Sequence, residues 1–257
     1  MTEGQTVANG PSVSLMMRSL LRADLVVLAR SGRTLILNIA VPIVILVITN
    51  FGHGSLTFGG ASFLIGMAIT YGLISSSLIG YALNLSRDRE IGVLQRLRVT
   101  PAPTWSIMAS RIVVQLTANL VTAIIVLVFG SIIYAVTYTV GEYLLVLAVA
   151  VLGGAVFLSI GQAIVALIRS SSVVNAVGRV LYIGLILVGI LGVTGILGSG
   201  FQSFAEWTPV GAVIDLFNGV LHLAAWSSAD TNSLSACAAY ISVFSFIGIR
   251  WFRWEAR

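Results

Sequence analysis

The chain alternates between long apolar runs and short polar gaps. A helix needs roughly 20 mostly apolar residues to cross a bilayer, and six runs reach or approach that length. They predict transmembrane helices at residues 35–51, 63–85, 107–134, 143–168, 173–197 and 234–252. The pattern therefore predicts an all-α membrane protein with six transmembrane helices.

Composition limits the rest of the chain. The 257 residues are 58% hydrophobic and only 9% charged, with a mean hydropathy of +1.02, whereas soluble domains carry about 25% charged residues. Six spans and their connections leave no room for a large soluble domain. We expect one membrane domain over residues 12–257, preceded by a polar, disordered tail at residues 1–11.

Several kinds of chemistry are disfavoured by what the chain lacks. All 14 basic residues are arginine, so the lysine that a P-loop places on nucleotide phosphates has no candidate. His53 and His222 are far apart in the sequence and Cys237 is the only cysteine, which argues against a metal site or a disulfide framework. We expect no catalytic residues, no bound metal and no cofactor in this chain.

The arginines give the topology. They cluster before the first span, in the second and fourth gaps and after the last span, while the odd-numbered gaps hold no arginine and their charged residues are all acidic. The positive-inside rule therefore predicts that both termini are cytoplasmic. Exclusive use of arginine, with much alanine, valine and glycine, is typical of high-GC bacterial genomes, so we expect a multi-pass protein of the bacterial cytoplasmic (inner) membrane.

The segment before the first span, residues 12–33, is predicted to be an interfacial helix. One side carries arginines and the other is apolar, which suits a helix lying at the membrane surface. Asp24 interrupts the apolar side, and a carboxylate at that position needs a cation. The helix serves either as an orientation anchor on membrane lipid or as a docking surface for a cytoplasmic subunit. The docking candidates are Arg18, Arg22, Asp24, Arg30 and Arg33.

The third outer gap, residues 198–233, is too apolar for an ordinary loop. Its pattern predicts two short helices broken at Pro209, forming a re-entrant hairpin, which membranes tolerate only where protein or water covers it. The alternative is an aromatic belt lying on the surface. Glu206 and Asp215, with Pro209, are candidates for an outer gate, although acids in contact with water explain them equally.

The second span has a ladder of small and polar residues. From Ala68, one recurs every four positions at Gly72, Ser76, Gly80 and Asn84. Such a ladder permits close helix packing, and together with Asn119 on the third span it could instead line a translocation path or a dimer face. Ionisable residues near the middle of a span, which ion-coupled carriers normally need, are missing.

The first inner loop, residues 86–106, is the most informative segment. It places four arginines and two acids around Ile91, Val93, Leu94 and Leu97, a pattern that predicts a short amphipathic helix ending before Pro101. Charge alone would set topology, whereas the added apolar face indicates a partner groove.

The run from Arg89 to Pro101 resembles the signature E-x-G-x-L-x-x-L-x-x-T-P of ABC-2 type exporter permeases. The resemblance implies that the loop is a coupling helix seated on a nucleotide-binding ABC ATPase subunit. It implies partner contacts at Arg89, Glu90, Gly92, Leu94, Leu97, Thr100 and Pro101. It also implies a second permease half, as a homodimer or heterodimer, and places ATP and magnesium on the partner. No nucleic acid is expected.

These observations predict a permease subunit that moves a hydrophobic or amphipathic cargo, such as a drug, natural product or lipid, driven by a separate ATPase. The alternatives are export of a lipid-linked glycan and an ATP-independent channel or carrier. An intramembrane serine protease is disfavoured, because Ser199 lacks the required glycine two positions before it and His222 falls in an outer segment.

Overall fold

The computed structural model describes residues 13–30, 32–51, 60–98, 103–194, 196–222 and 226–252, and every regular element within them is helical. The all-α fold class is thereby confirmed. The predicted tail at residues 1–11 lies outside the described residues. The helices are α1 (Val13–Arg30), α2 (Gly32–Phe51), α3 (Gly60–Leu73), a π-helical segment (Ile74–Tyr81), α4 (Ala82–Glu90), α5 (Val93–Arg98), α6 (Thr104–Tyr134), α7 (Val140–Leu167), α8 (Ser171–Thr194), α9 (Ser199–Trp207), α10 (Pro209–Leu221) and α11 (Ser228–Trp251).

Within the described residues, five helical stretches are long and apolar enough to cross a membrane. They are Gly60–Glu90, Thr104–Tyr134, Val140–Leu167, Ser171–Gly192 and Ser228–Trp251. The first predicted span corresponds to α2, whose described apolar part, Ile39–Phe51, is shorter. All 20 residues of α2 amount to about 30 Å of helix. The count of six spans therefore depends on α2 and stays a prediction.

The short helix α10 lies in the middle of the hydrophobic core. Nine of its 13 residues are buried, and it packs against α3, α7 and α11. The approach to α7 is close, because a Cβ atom built on Gly153 would lie 2.8 Å from Cγ1 of Val213. A larger residue at 153 would therefore force α10 away from α7.

The outer hairpin is formed as the sequence predicts, by two short helices that meet at Thr208 and Pro209. The Thr208 hydroxyl accepts a hydrogen bond from the Gly211 N–H at 3.3 Å and thereby caps α10. Each of the two interpretations, a re-entrant hairpin and an aromatic belt on the surface, applies to one of the two helices. Helix α10 is covered by protein, as a re-entrant segment must be. Helix α9 instead exposes Phe204 and Trp207, as an aromatic belt does.

The second span is one continuous rod whose middle section, Ile74–Tyr81, is π-helical. A π-helix closes its hydrogen bonds five residues apart instead of four, so a ladder with a spacing of four loses its register there. Gly72 and Ser76 are buried, Gly80 is half-buried and Asn84 is exposed. Burial therefore falls along the ladder toward Asn84, and its role as a packing face, a dimer face or part of a translocation path stays a prediction.

Two acids that the sequence placed in outer gaps cap helices. Glu142 accepts hydrogen bonds from the N–H and the hydroxyl of Thr139 and closes a capping box at the start of α7. Asp230 forms the same arrangement with Ser227 at the start of α11. In both places a Ser or Thr precedes the acid by three residues, which is the sequence signature of a capping box.

Candidate functional site

Arg89 closes the end of α7. Its side chain is only 1% exposed, although it follows directly from a charged loop. The guanidinium donates hydrogen bonds to the carbonyl oxygens of Val165 (2.6 Å), Ile168 (2.6 Å) and Arg169 (2.8 Å). The last carbonyls of a helix have no partner within it, and the helix dipole favours a cation there. Arg89, predicted as a contact of a partner subunit, is therefore used inside the chain.

Glu90, the next residue, holds the start of α8. Its Oε1 accepts the Ser171 N–H at 2.6 Å and its Oε2 accepts the Ser171 hydroxyl at 2.6 Å. A carboxylate is stabilised at a helix N-terminus by the dipole and by the free N–H groups. We use the name α7–α8 clamp for Arg89 and Glu90 with the backbone of residues 165–171 that they bind.

Gly92 makes the turn that follows the clamp. Its φ is +75°, a left-handed conformation that glycine adopts without strain, and its N–H donates to the Arg89 carbonyl at 3.2 Å. A glycine of this kind commonly ends a helix. The amphipathic helix predicted for this loop is thus divided into the end of α4 and the separate short helix α5.

Helix α5 directs its apolar side chains toward the membrane domain. Leu94 is fully buried in a small cluster that also contains Tyr81, Leu85 and Val165. Leu97 is half-buried. Thr100 and Pro101, also predicted as partner contacts, lie outside the described residues. The predicted apolar partner face is therefore mainly the face that attaches α5 to its own chain.

The exposed surface of this loop consists of other side chains. Ile91 is 67% exposed, a high value for a large apolar residue beside charged ones. We use the name Ile91 surface for this set of exposed residues: Arg87, Glu90, Ile91, Gln95 and Arg96. It lies at the arginine-rich end of the molecule, where α4, α5, the start of α6 and the α7–α8 turn meet.

The interfacial helix joins this end through Asp24. The hydroxyl of Ser110 on α6 donates to Oδ2 of Asp24, so the partner that the structure shows is a neutral group where the sequence predicts a cation. One residue further on, Arg111 forms an ion pair of 2.6 Å with Asp88 on α4. Neighbouring residues of α6 thus bind both α1 and α4.

The predicted docking arginines separate into two groups. Arg18, Arg22 and Arg30 are exposed on α1. Helix α1 ends at Arg30, and Arg33 belongs to α2. The prediction of one interfacial helix over residues 12–33 is therefore wrong at its carboxyl end, and the side chain of Arg33 lies outside what the structure describes.

The π-helical segment faces a polar cluster on α6. Gln115 donates from Nε2 to the Ser76 hydroxyl at 2.6 Å, and Asn119 donates from Nδ2 to the Ser77 hydroxyl at 2.7 Å. The same amide of Gln115 lies 3.3 Å from Oδ1 of Asn119. The widened helix lets two consecutive serines face the same neighbour. Asn119 is 1% exposed, so here it connects helices and does not line an open path.

The outer acids come together at the opposite end. Glu206 and Asp215 line the same cavity of about 150 Å³ between α8, α9 and α10, and Pro209 opens α10 beside it. Helix α10 is not one of the five spanning stretches. Burial raises the pKa of Asp215 to about 7, and the negative charges of Glu206 and Asp230 add to the shift. Their role as an outer gate stays a prediction.

Helices of this length, a re-entrant helix in the core and a charged loop tied to two spans define a polytopic all-α membrane protein. The chain matches the family model of ABC-2 type transporters over residues 16–221. It therefore belongs to the ABC-2 type transporter family and is a permease of ABC transporters, as the loop signature indicated. The match covers α1 to α10 and ends before α11. No curated protein matches the sequence.

Sequence reasoning missed the α7–α8 clamp, Ser171 and the Ile91 surface. A charged pair next to a helix end gives no indication of which other helix it will bind, since the partners are backbone atoms nearly 80 residues away. One weak feature of the sequence does indicate that Ile91 is exposed. It directly precedes the glycine of the signature, where a helix must turn.

Proposed function

We propose that this permease is the membrane subunit of an ATP-binding cassette exporter, driven by ATP hydrolysis on a separate nucleotide-binding subunit. The family supports the permease, and the absence of lysine from the sequence supports a separate ATPase. The ATP and magnesium belong to that partner. Two permease halves and two ATPases would make the complete transporter, in the bacterial cytoplasmic membrane with both termini in the cytoplasm.

One observation carries the proposal: the loop with the family signature is exposed on one side and attached to two spans on the other. The Ile91 surface offers an apolar residue ringed by charges, which suits a cleft on a cytoplasmic subunit. Behind it, Arg89 and Glu90 are bonded to the ends of α7 and α8. Movement of a bound ATPase would thus reach the membrane helices directly.

The cargo we propose is hydrophobic or amphipathic. The described interior of the molecule is mostly apolar, with scattered hydroxyl and amide groups. A lipid-linked glycan is the second candidate cargo. Direction of transport follows from the family signature alone and is part of the proposal.

The first experiment is gentle extraction of the chain, tagged at its C-terminus, from its native membrane, followed by mass spectrometry of the proteins that accompany it. We expect a P-loop ATPase in about equal amount. A second six-helix protein would indicate a heterodimer. If the chain emerges alone after crosslinking through the Arg87–Pro103 region, the proposal fails, and an ATP-independent channel or carrier becomes the better explanation.

A pair of variants then tests the surface. Ile91→Asp should release the ATPase, because it puts a charge at the centre of the contact. Val140→Asp is the matched control, since Val140 is 77% exposed at the opposite end of the molecule. Retention of the ATPase by both variants would show that the Ile91 surface is not the docking site, even if an ATPase partner exists.

A further inference from the structure

A cavity of about 460 Å³ opens at the arginine-rich end of the molecule. It lies between α1, the second half of the second span, α5 and α6. All four elements contribute apolar walls, among them Leu20, Val27, Leu85, Val93, Ile107 and Val114. The volume is that of a pocket for a small organic molecule, and the lining has the mixture of apolar walls and few polar groups that such pockets show.

Two residues of this lining each carry a buried polar atom that has no hydrogen-bond partner. The Tyr81 side chain is 5% exposed, and its hydroxyl is among the few buried polar atoms of the described residues that are left unpaired. Nε of Arg111 is another. Buried polar groups without partners are rare in native structures and call for an explanation. Both atoms are hydrogen-bond donors, so an oxygen acceptor on a ligand would satisfy them.

The lining of the cavity carries more negative than positive charge. Arg111 is paired with Asp88 at 2.6 Å, so these two charges compensate each other. Asp24 receives its hydrogen bond from Ser110, a neutral hydroxyl. Among the described lining residues there are thus two carboxylates and one guanidinium. A cavity with this excess of negative charge favours a cation over an anion.

We propose that this cavity binds an amphiphile with an apolar body, one cationic nitrogen and a carbonyl, ester or hydroxyl oxygen. The nitrogen lies against Asp24, and the oxygen accepts from Tyr81 and from Nε of Arg111. As the class of cargo this rests on the proposed function. As a binding site it stands without the ATPase, because binding is measured in the absence of ATP and of any partner.

The test uses the full-length chain in micelles of dodecyl maltoside, a detergent without charge or nitrogen, and the fluorescence anisotropy of two dyes. The ethyl ester of rhodamine B is a cationic amphiphile with an ester carbonyl. Rhodamine B has the same ring system but carries a carboxylate, so its net charge is zero. We expect the ester to bind at least tenfold more tightly. Equal binding of the two dyes, or no binding of the ester, would overturn the proposal.

Two variants locate the site. Asp24→Asn should lower the affinity for the ester at least tenfold, whereas Asp230→Asn at the opposite end should leave it unchanged. Tyr81→Phe should lower the affinity for the ester severalfold. Thermal stability should stay the same, because the Tyr81 hydroxyl has no hydrogen-bond partner to lose. This variant therefore tests the cavity even if Asp24→Asn folds poorly. Unchanged affinity in Tyr81→Phe, or in a folded Asp24→Asn protein, would place the dye elsewhere and refute the assignment.

A third measurement distinguishes a membrane lipid from an amphiphile outside the bilayer, because both can carry these chemical groups. Phosphatidylethanolamine also combines an ammonium group, ester oxygens and apolar chains. Displacement of the dye when this lipid is added to the micelles would identify a membrane lipid as the occupant and support the ammonium chemistry. Unaltered dye binding would support an amphiphile from outside the bilayer.

Discussion

Replacing Arg89 with methionine tests the α7–α8 clamp. Methionine retains an apolar stem of similar length, so the change mainly removes three hydrogen bonds from a charged donor. Such bonds contribute about 1.5–3 kcal/mol when removed singly. Two of the three acceptors belong to part-buried bonds and regain water, so the losses will not add. We expect a loss of about 3 kcal/mol in the free energy of unfolding. At roughly 2–4 °C per kcal/mol this lowers the Tm by roughly 6–12 °C.

Cys237 provides the assay. It is the only cysteine in the chain and is 0% exposed, so a dye that fluoresces on reacting with thiols reports unfolding on heating. Arg87→Met is the matched control, because Arg87 lies on the same helix and is exposed. We expect the control to stay within about 0.5 kcal/mol of the wild type. Equal Tm values for the two variants would refute the reasoning that the buried guanidinium holds the end of α7.

Two further predictions concern other features; the glycine variants use the same thiol assay, and the Asp215 variant uses tryptophan fluorescence on heating, because a thiol hardly reacts at pH 4. Gly92→Ala should lower the free energy of unfolding by about 1–2 kcal/mol, because an alanine is strained at a positive φ. Gly200→Ala is the control: it lies in a helix with free space around it and should be neutral or stabilising. Equal effects of the two substitutions would contradict the argument from backbone strain. Because the folded pKa of Asp215 is raised to about 7, the stability that its neutral carboxyl contributes is lost as the pH rises from 4 to 8. Asp215→Asn should therefore have the higher Tm at pH 8 and an equal Tm at pH 4, and a difference independent of pH would argue against this carboxyl as the cause.

The apolar runs predict the membrane helices well because hydropathy is what selects them. The third span ends at Tyr134 as predicted, where Ala135 takes a positive φ. The second span continues past its predicted end at residue 85 to Glu90. Hydropathy detects the part of a helix that crosses lipid, and it has no information about a polar extension beyond it. The broken outer hairpin was predictable because Pro209 forces the break.

The position of the loop's apolar residues was not predictable from the sequence. An amphipathic helix at a membrane surface can bury its apolar face against its own chain or against a partner, and the pattern is the same in both cases. The structure places Leu94 on the inner side and leaves Ile91 exposed. The π-helical segment was equally invisible, because packing against α6 and α7 decides between two helical forms that share one hydropathy pattern.

Consecutive placement of Arg89 and Glu90 has a mechanical consequence. One peptide bond separates the residue that binds the last carbonyls of α7 from the residue that binds the first N–H of α8. A force on the neighbouring Ile91 is therefore transmitted at once to the end of α4, the end of α7 and the start of α8. The π-helical segment precedes Arg89 and Glu90 in the second span and the turn at Gly92 follows them, so the backbone departs from α-helical geometry on both sides of the pair.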